Sequence, residues 1–174
     1  DLMASPIRRL FEHPDKILKP LIRPGMRVLD AGSAMGFFSI PAAKLVGDSG
    51  QVICVDLQER MLGSLRKRAA RAGMQDRIVT RTCPSDSLAI QELDGQLDLA
   101  LAIHMVHECP NPKRLLGELA ASLKPGGALL VAEPKGHVSQ EMFADTLRWA
   151  EEAGLTRQEA THLKRSHTAL FRKP

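Results

Sequence analysis

Two stretches of this chain carry residue types at spacings that can do chemistry. The first is Asp30-Ala31-Gly32-Ser33-Ala34-Met35-Gly36, which lies between an apolar, branched run and a helical one. Small residues here let the backbone turn sharply and approach a ligand closely. The amides that open the following helix then face the crevice at the strand ends. Asp56 ends the next apolar run, and a carboxylate there can accept hydrogen bonds from both hydroxyls of a ribose. The second stretch holds His104, His107, Glu108 and Cys109. Imidazole changes charge near neutral pH and suits proton transfer. As a metal site these four crowd into one short turn without the usual ligand spacing, so no metal is expected.

Alternating short and long runs must position these residues. Segments 26–30, 51–56, 77–82, 97–103 and 128–132 are apolar, bounded by turn residues, and read as buried parallel strands. Between them, 36–46, 58–72, 112–123 and 139–153 are long enough for helices. Leu115, Leu116, Leu119 and Leu123 recur at helical spacing. The alternation predicts an α/β fold with a doubly wound, mostly parallel sheet and helices on both faces. Segments 155–163 and 168–172 read as two strands with Arg165-Ser166 in the turn, so the sheet is expected to end in an antiparallel hairpin. Segment 5–24 reads as a short helix between prolines, outside the alternation.

Composition narrows the function classes. The chain has 174 residues, 44% hydrophobic and 25% charged, which suits one globular domain and excludes a fibrous or disordered chain. No apolar run approaches the length of about 20 residues that a membrane helix needs. The first residues lack a signal-type apolar core, and three cysteines form no disulfide framework, so a reducing, cytoplasmic setting is expected. Net charge is +4, but aromatics are 3% and Tyr is absent, a poor supply for stacking single-stranded nucleic acid.

The glycine turn separates two cofactor classes. Nicotinamide and flavin proteins want G-x-G-x-x-G; here Phe37 follows a Gly32-x-Ala34-x-Gly36 pattern. That turn resembles the D-x-G-x-G-x-G turn of class I S-adenosylmethionine-dependent methyltransferases. Four more segments resemble the same family in order: Val55-Asp56, Leu97-Asp98-Leu99, Leu123-Lys124-Pro125-Gly126-Gly127 and Leu130-Val131-Ala132-Glu133-Pro134. Taken singly, Gly126-Gly127 also reads as a helix cap and turn, and Asp98 as a strand-start residue.

The resemblance implies a seven-stranded Rossmann-like sheet and S-adenosyl-L-methionine as cofactor. It places Asp30 near the methionine amine and makes Gly32, Ser33, Ala34 and Gly36 the cradle beneath the methionine. Asp56 takes the ribose, Leu57 presses on the adenine, and Cys83, Pro84 and Ser85 flank its other side. Ile103 and His104 offer backbone groups to the amine. His104 is the first candidate for a catalytic base and His107 the second, needed only where the acceptor must lose a proton. Two departures stand out: Ala34 replaces the commoner glycine, and no acid directly follows the third strand, with Asp86 one or two positions late.

Ala102-Ile103-His104-Met105 lacks the Asn/Asp-Pro-Pro-aromatic signature of base and glutamine methylation, and Cys109-Pro110 is not a Pro-Cys nucleophile. The resemblance is to the small-molecule branch, such as enzymes of quinone biosynthesis, though without their usual insertion near the fifth strand. The expectation is a single-domain methyltransferase acting on a small organic molecule, with no membrane partner and nucleic acid disfavoured. Segment 1–24 is a candidate cap over the cofactor, with Leu10 and Phe11 over the donor and Arg8-Arg9 facing an anionic acceptor. An RNA methyltransferase using Arg66-Lys67-Arg68 and Arg71, or a donor-binding protein without transferase activity, are the alternatives.

Overall fold

A computed structural model describes residues 13–160 and 162–174. Its central element is one seven-stranded sheet with strands β1 (Arg27–Ala31), β2 (Gln51–Asp56), β3 (Ile78–Thr82), β4 (Leu97–Ile103), β5 (Leu123–Pro134), β6 (Thr156–Gln158) and β7 (Ser166–Arg172). The spatial order is β3-β2-β1-β4-β5-β7-β6. The first five strands are parallel, and β7 runs antiparallel to both β5 and β6.

Among the described residues five α-helices flank the sheet: α1 (Pro14–Leu18), α2 (Ser39–Val46), α3 (Glu59–Arg71), α4 (Pro112–Ser122) and α5 (Gln140–Glu152). Strand residues point alternately to the two faces, so each buried strand feeds two cores. On one face Leu29, Ile53, Ala100 and Leu129 pack with Leu116 and Leu119 of α4 and Phe143 of α5. On the other, Val28, Val52, Leu101 and Leu130 pack with Val46 of α2, Leu62 and Leu65 of α3 and Leu18 of α1. Side-chain caps start the two helices of the first face. Asn111 accepts from the Arg114 amide at 3.1 Å, and Ser139 from the Met142 amide at 3.1 Å.

The strand order reverses between β1 and β4. Ligands in open α/β sheets bind where the order reverses, beyond the carboxyl ends of the strands. The carboxyl ends of β1, β2 and β4 therefore define where a site must lie.

Several boundaries differ from the sequence reading. Residues 36–38 form a turn, and α2 starts at Ser39. β5 is far longer than 128–132. It begins at Leu123, beside Leu97, and pairs again at Ala128, beside Leu99, so 124–127 swing out of the ladder between them. Asp98 serves that corner: it accepts the Arg27 amide at 2.8 Å and lies 3.1 Å from the Lys124 ammonium, at the end of the sheet away from the site. The expected long strand over 155–163 shrinks to the three exposed residues of β6, which pair only with β7. Ser166 opens β7 and is not a turn residue.

Of the proposed cap, residues 1–12, including Arg8, Arg9, Leu10 and Phe11, lie outside the described residues. The described part sits in the core: Leu18 is fully buried and Ile22 nearly so, against α2. No helix among the described residues is long and apolar enough to cross a membrane.

Candidate active site

The turn after β1 is held to the end of β2 by paired contacts. The Gly32 and Ser33 amides both donate to the Val55 carbonyl, at 2.8 and 3.1 Å. The Asp56 carboxylate then accepts the Ala34 amide at 2.9 Å through Oδ2 and the Gln58 amide at 2.9 Å through Oδ1. Each carboxylate oxygen has a second acceptor site, so two hydroxyl donors can still be received. Ala34 adopts φ of 49°, a left-handed conformation that explains why glycine suits this position.

A cavity of about 570 Å³ opens at this point and runs along the carboxyl ends of β1, β2 and β4. Gly32, Ala34, Asp56 and Leu57 line one end. Leu57 is 57% exposed, an apolar surface waiting for a flat partner. Cys83, Pro84 and Ser85 form the adjacent wall, with Asp86 beside them and 3.8 Å from the Arg114 guanidinium. Ile103, His104 and His107 line the other end, together with His137 from the segment after β5.

Three of the sequence candidates do not line the cavity: Asp30, Ser33 and Gly36. Asp30 lies behind the turn, where the Ser39 hydroxyl donates to it at 2.5 Å. Burial raises its carboxyl to about 7, against the Ser39 hydrogen bond, with the nearby Asp56 charge adding to the rise. Gly36 has φ of +90°, and a Cβ there would lie 2.2 Å from Leu65 of α3, so its smallness serves helix packing. The buried Ser33 hydroxyl, between the lining residues Gly32 and Ala34 in sequence, has no hydrogen-bond partner among the described residues.

The histidine end has its own electrostatics. His104 sits just past β4 at φ of 55°, its amide already donated to the Ala132 carbonyl at 2.8 Å. Only carbonyl groups remain there for a ligand amine. Its Nε2 lies 3.3 Å from the Ser166 hydroxyl. Burial, then the neighbouring His107 and His137, lowers its pKa to about 4. His107 follows in a single 3-10 turn, Val106–Glu108, and its Nδ1 pairs with the Glu133 carboxylate at the end of β5. Burial likewise raises the Cys83 thiol, and pushes the Cys109 thiol up to about 11 with help from Glu108. Among the described residues no group of three or more His, Cys, Asp or Glu could hold a metal ion.

Glu133 and His137 were not singled out from sequence as site residues. The available signal was an acid closing the otherwise apolar run Leu129-Leu130-Val131-Ala132-Glu133, where an unpaired charge would be costly. The residues present fit S-adenosylmethionine on two structural grounds. A carboxylate with spare acceptor capacity lines the cavity beside the small residues Gly32 and Ala34, and the buried hydroxyl of Ser33 between those two lacks a partner among the described residues.

Comparison with known proteins agrees. The methyltransferase-domain family matches residues 22–168. The ubiquinone/menaquinone biosynthesis C-methyltransferase UbiE of Bordetella parapertussis is 33% identical over 135 residues, which cover 76% of this chain and 50% of that protein. The protein of the same name from Cellvibrio japonicus is 34% identical over 133 residues, covering 76% of this chain and 52% of its own length. The chain thus spans about half the length of these curated relatives. In fold, the crystal structure of a SAM-dependent methyltransferase from Aquifex aeolicus superposes with a TM-score of 0.82 at 24% identity, covering 98% of this chain and 95% of that one. The chain belongs to the class I S-adenosylmethionine-dependent methyltransferases, in the company of the quinone-biosynthesis enzymes.

Proposed function

We propose that this chain transfers a methyl group from S-adenosylmethionine to a small organic acceptor bound at the histidine end of the cavity. The observation that carries the reading is one continuous cavity of about 570 Å³ joining Asp56 and Gly32 to His104 and His107. Its size is that of small-molecule sites, which run roughly 300–1,000 Å³. The names of the relatives, quinone-biosynthesis C-methyltransferases, support a small ring compound as acceptor.

When bound, S-adenosylmethionine supplies a methyl group on a positively charged sulfur, already activated toward a nucleophile. The chain's residues then have to bind, orient and exclude water. Asp56 holds the ribose hydroxyls while keeping the Ala34 and Gln58 amides in place. Gly32 and Ala34 contribute the floor, and Leu57 with Cys83, Pro84 and Ser85, which line the same cavity, would enclose the adenine. Adenine recognition falls to that wall's backbone or to the Ser85 hydroxyl. Asp30 acts on the methionine amine from behind the turn, as a buried negative charge. Positioning in a dry cavity provides most of the acceleration for such an in-line displacement.

Calorimetric titration with S-adenosylmethionine and S-adenosylhomocysteine, followed by turnover against a panel of small phenolic, enolic and thiol acceptors, tests the reading. Binding of both compounds and methylation of a panel member is the expected result. Absence of binding by either, with NAD stabilising the protein instead, would overturn it. Binding without turnover across the panel would favour the non-catalytic alternative.

A further inference from the structure

We propose that Glu133 is a positioning residue that makes His107 the proton acceptor of this site; this rests on the methyltransferase reading and adds a base and an acceptor class to it. Glu133 ends β5 and is 1% exposed, an acid buried in an apolar strand. It survives there because donors surround it. The Val106 amide donates to Oε1 at 2.9 Å, the His107 amide is also directed at the carboxylate, and Oε2 pairs with His107 Nδ1. A buried charge without such partners would be strongly destabilising. The carboxylate thus clamps both the backbone of the 3-10 turn and the imidazole that turn carries.

The clamp fixes the tautomer. Burial raises the Glu133 carboxyl, while the His107 charge and the hydrogen bonds it receives from His107 and Val106 act the other way and favour the carboxylate. Neutral imidazole has one donor nitrogen and one acceptor nitrogen, and an ionised carboxylate only accepts. Nδ1 therefore carries the proton and donates it to Glu133, leaving Nε2 with a lone pair. His107 lines the cavity, so Nε2 is the nitrogen left to meet an acceptor there. The other titratable groups facing the ring are Glu108, whose carboxylate is 3.7 Å from Nε2 and largely exposed, and His137, whose ring stacks parallel to it at 6.4 Å. His104 is close enough to feel the charge of His107. Its ring contacts Ser166, whereas the His107 ring is paired with a buried carboxylate that can balance its cation.

The consequence is an acceptor that must lose a proton, such as a phenol, an enol or an enolisable carbon acid. As its nucleophilic atom bonds the methyl group, the carbon–sulfur bond breaks and the electron pair leaves with the sulfur as a neutral thioether. The acceptor's proton passes to Nε2, the Glu133 carboxylate balances the imidazolium, and the proton is later released to water at the cavity mouth. A held imidazole of this kind fails when its orienting carboxylate becomes an amide, because the ring is left in the wrong tautomer.

The test needs no acceptor. Ring-nitrogen NMR of the full chain saturated with S-adenosylhomocysteine, with His107→Asn used for assignment, reads the tautomer directly. The wild type is expected to show His107 protonated at Nδ1 and bare at Nε2. In Glu133→Gln the proton is expected to move toward Nε2. In parallel, carbethoxylation of His107 by diethylpyrocarbonate at neutral pH should slow at least several-fold in Glu133→Gln. A wild-type ring protonated at Nε2, or an unchanged tautomer and reactivity in Glu133→Gln, would overturn the proposal. S-adenosylhomocysteine affinity separates the two readings: retained binding with an unchanged His107 sinks only the base assignment, whereas no binding to wild type sinks the methyltransferase reading itself. Should Glu133→Gln fail to fold, the wild-type tautomer decides.

Discussion

At the scale of single residues, Asp56 does two jobs with one carboxylate. It fixes the turn after β1 through the Ala34 amide and the start of α3 through the Gln58 amide, and it leaves lone pairs for a ribose. Asp56→Asn keeps the shape but replaces one acceptor oxygen with a donor, which then confronts a backbone N–H. Hydrogen bonds to charged groups contribute about 1.5–3 kcal/mol each. The variant is expected to lose roughly 10- to 100-fold in S-adenosylhomocysteine affinity by calorimetry, with a lowered midpoint in thermal unfolding. Wild-type affinity in Asp56→Asn would show that the ribose is held elsewhere. Asp56 was legible in the sequence because its position at a strand end, one strand beyond a glycine turn, is a local pattern. Glu133 was less so: its meaning depends on β4 and β5 lying side by side, which brings residue 107 to residue 133 across the sheet. The division of labour between Gly32 and Gly36 was also hidden. Only the packing of Leu65 reveals that one glycine faces the cavity and the other faces a helix.

At the scale of elements, β1 to β4 were read nearly to the residue: β1, β2 and β4 are apolar runs buried on both faces, and all four are bounded by turn residues. The errors fall where that logic is absent. β6 is an exposed edge strand of three residues, laddered to β7 and touched by α5, and no pattern of burial marks its ends. The start of β5 was missed because Lys124, Pro125, Gly126 and Gly127 look like a plain helix-to-strand turn, yet they form an excursion inside the strand. Gly127 is what allows it. A Cβ there would lie 2.9 Å from the Lys124 carbonyl and 3.0 Å from the Leu97 carbonyl, both backbone atoms that cannot rotate away. Gly127→Ala is therefore expected to cost about 1–3 kcal/mol in denaturant unfolding, the usual cost of forcing atoms into a packed site. The excursion sits at the end of the sheet opposite the cavity, so donor affinity should stay within about twofold of wild type under folding conditions. A large loss of affinity without loss of stability would contradict this separation.

At the scale of the whole molecule, the mildly basic net charge of +4 is largely distributed through local contacts. On α3, on the turn before β3 and on β3, Arg66 pairs with Glu59, Arg77 with Asp48 and Arg81 with Glu92, so Arg66 of the Arg66-Lys67-Arg68 run has a local counter-charge. Exposed pairs of this kind contribute little to stability. The large electrostatic lever on the fold is buried: Asp30, 3% exposed, which accepts a hydrogen bond from Ser39. Its carboxyl rises from 3.8 to about 7 on folding, chiefly through burial. A raised folded-state pKa means that the folded chain holds the proton more tightly than the unfolded one. The associated stability is therefore complete below about pH 4, declines as pH rises through about 7, and is gone above it. Each unit of difference corresponds to 1.36 kcal/mol, so the decline should amount to a few kcal/mol at most. Asp30→Asn presents a neutral amide of the same shape, whose oxygen still accepts from Ser39, and does not titrate. Subtracting its unfolding free energy from that of the wild type, pH by pH, removes the other carboxylates and leaves the Asp30 contribution alone. The difference should favour the wild type most at pH 4, shrink steadily to pH 7 and level off beyond. A difference curve that stays flat across that range, or slopes the other way, would mean that Asp30 is ionised at little cost in the folded protein. S-adenosylmethionine should reverse part of the decline, because a cationic amine near Asp30 favours its ionised form. Its affinity is thus expected to rise between pH 6 and 8 in the wild type and not in Asp30→Asn.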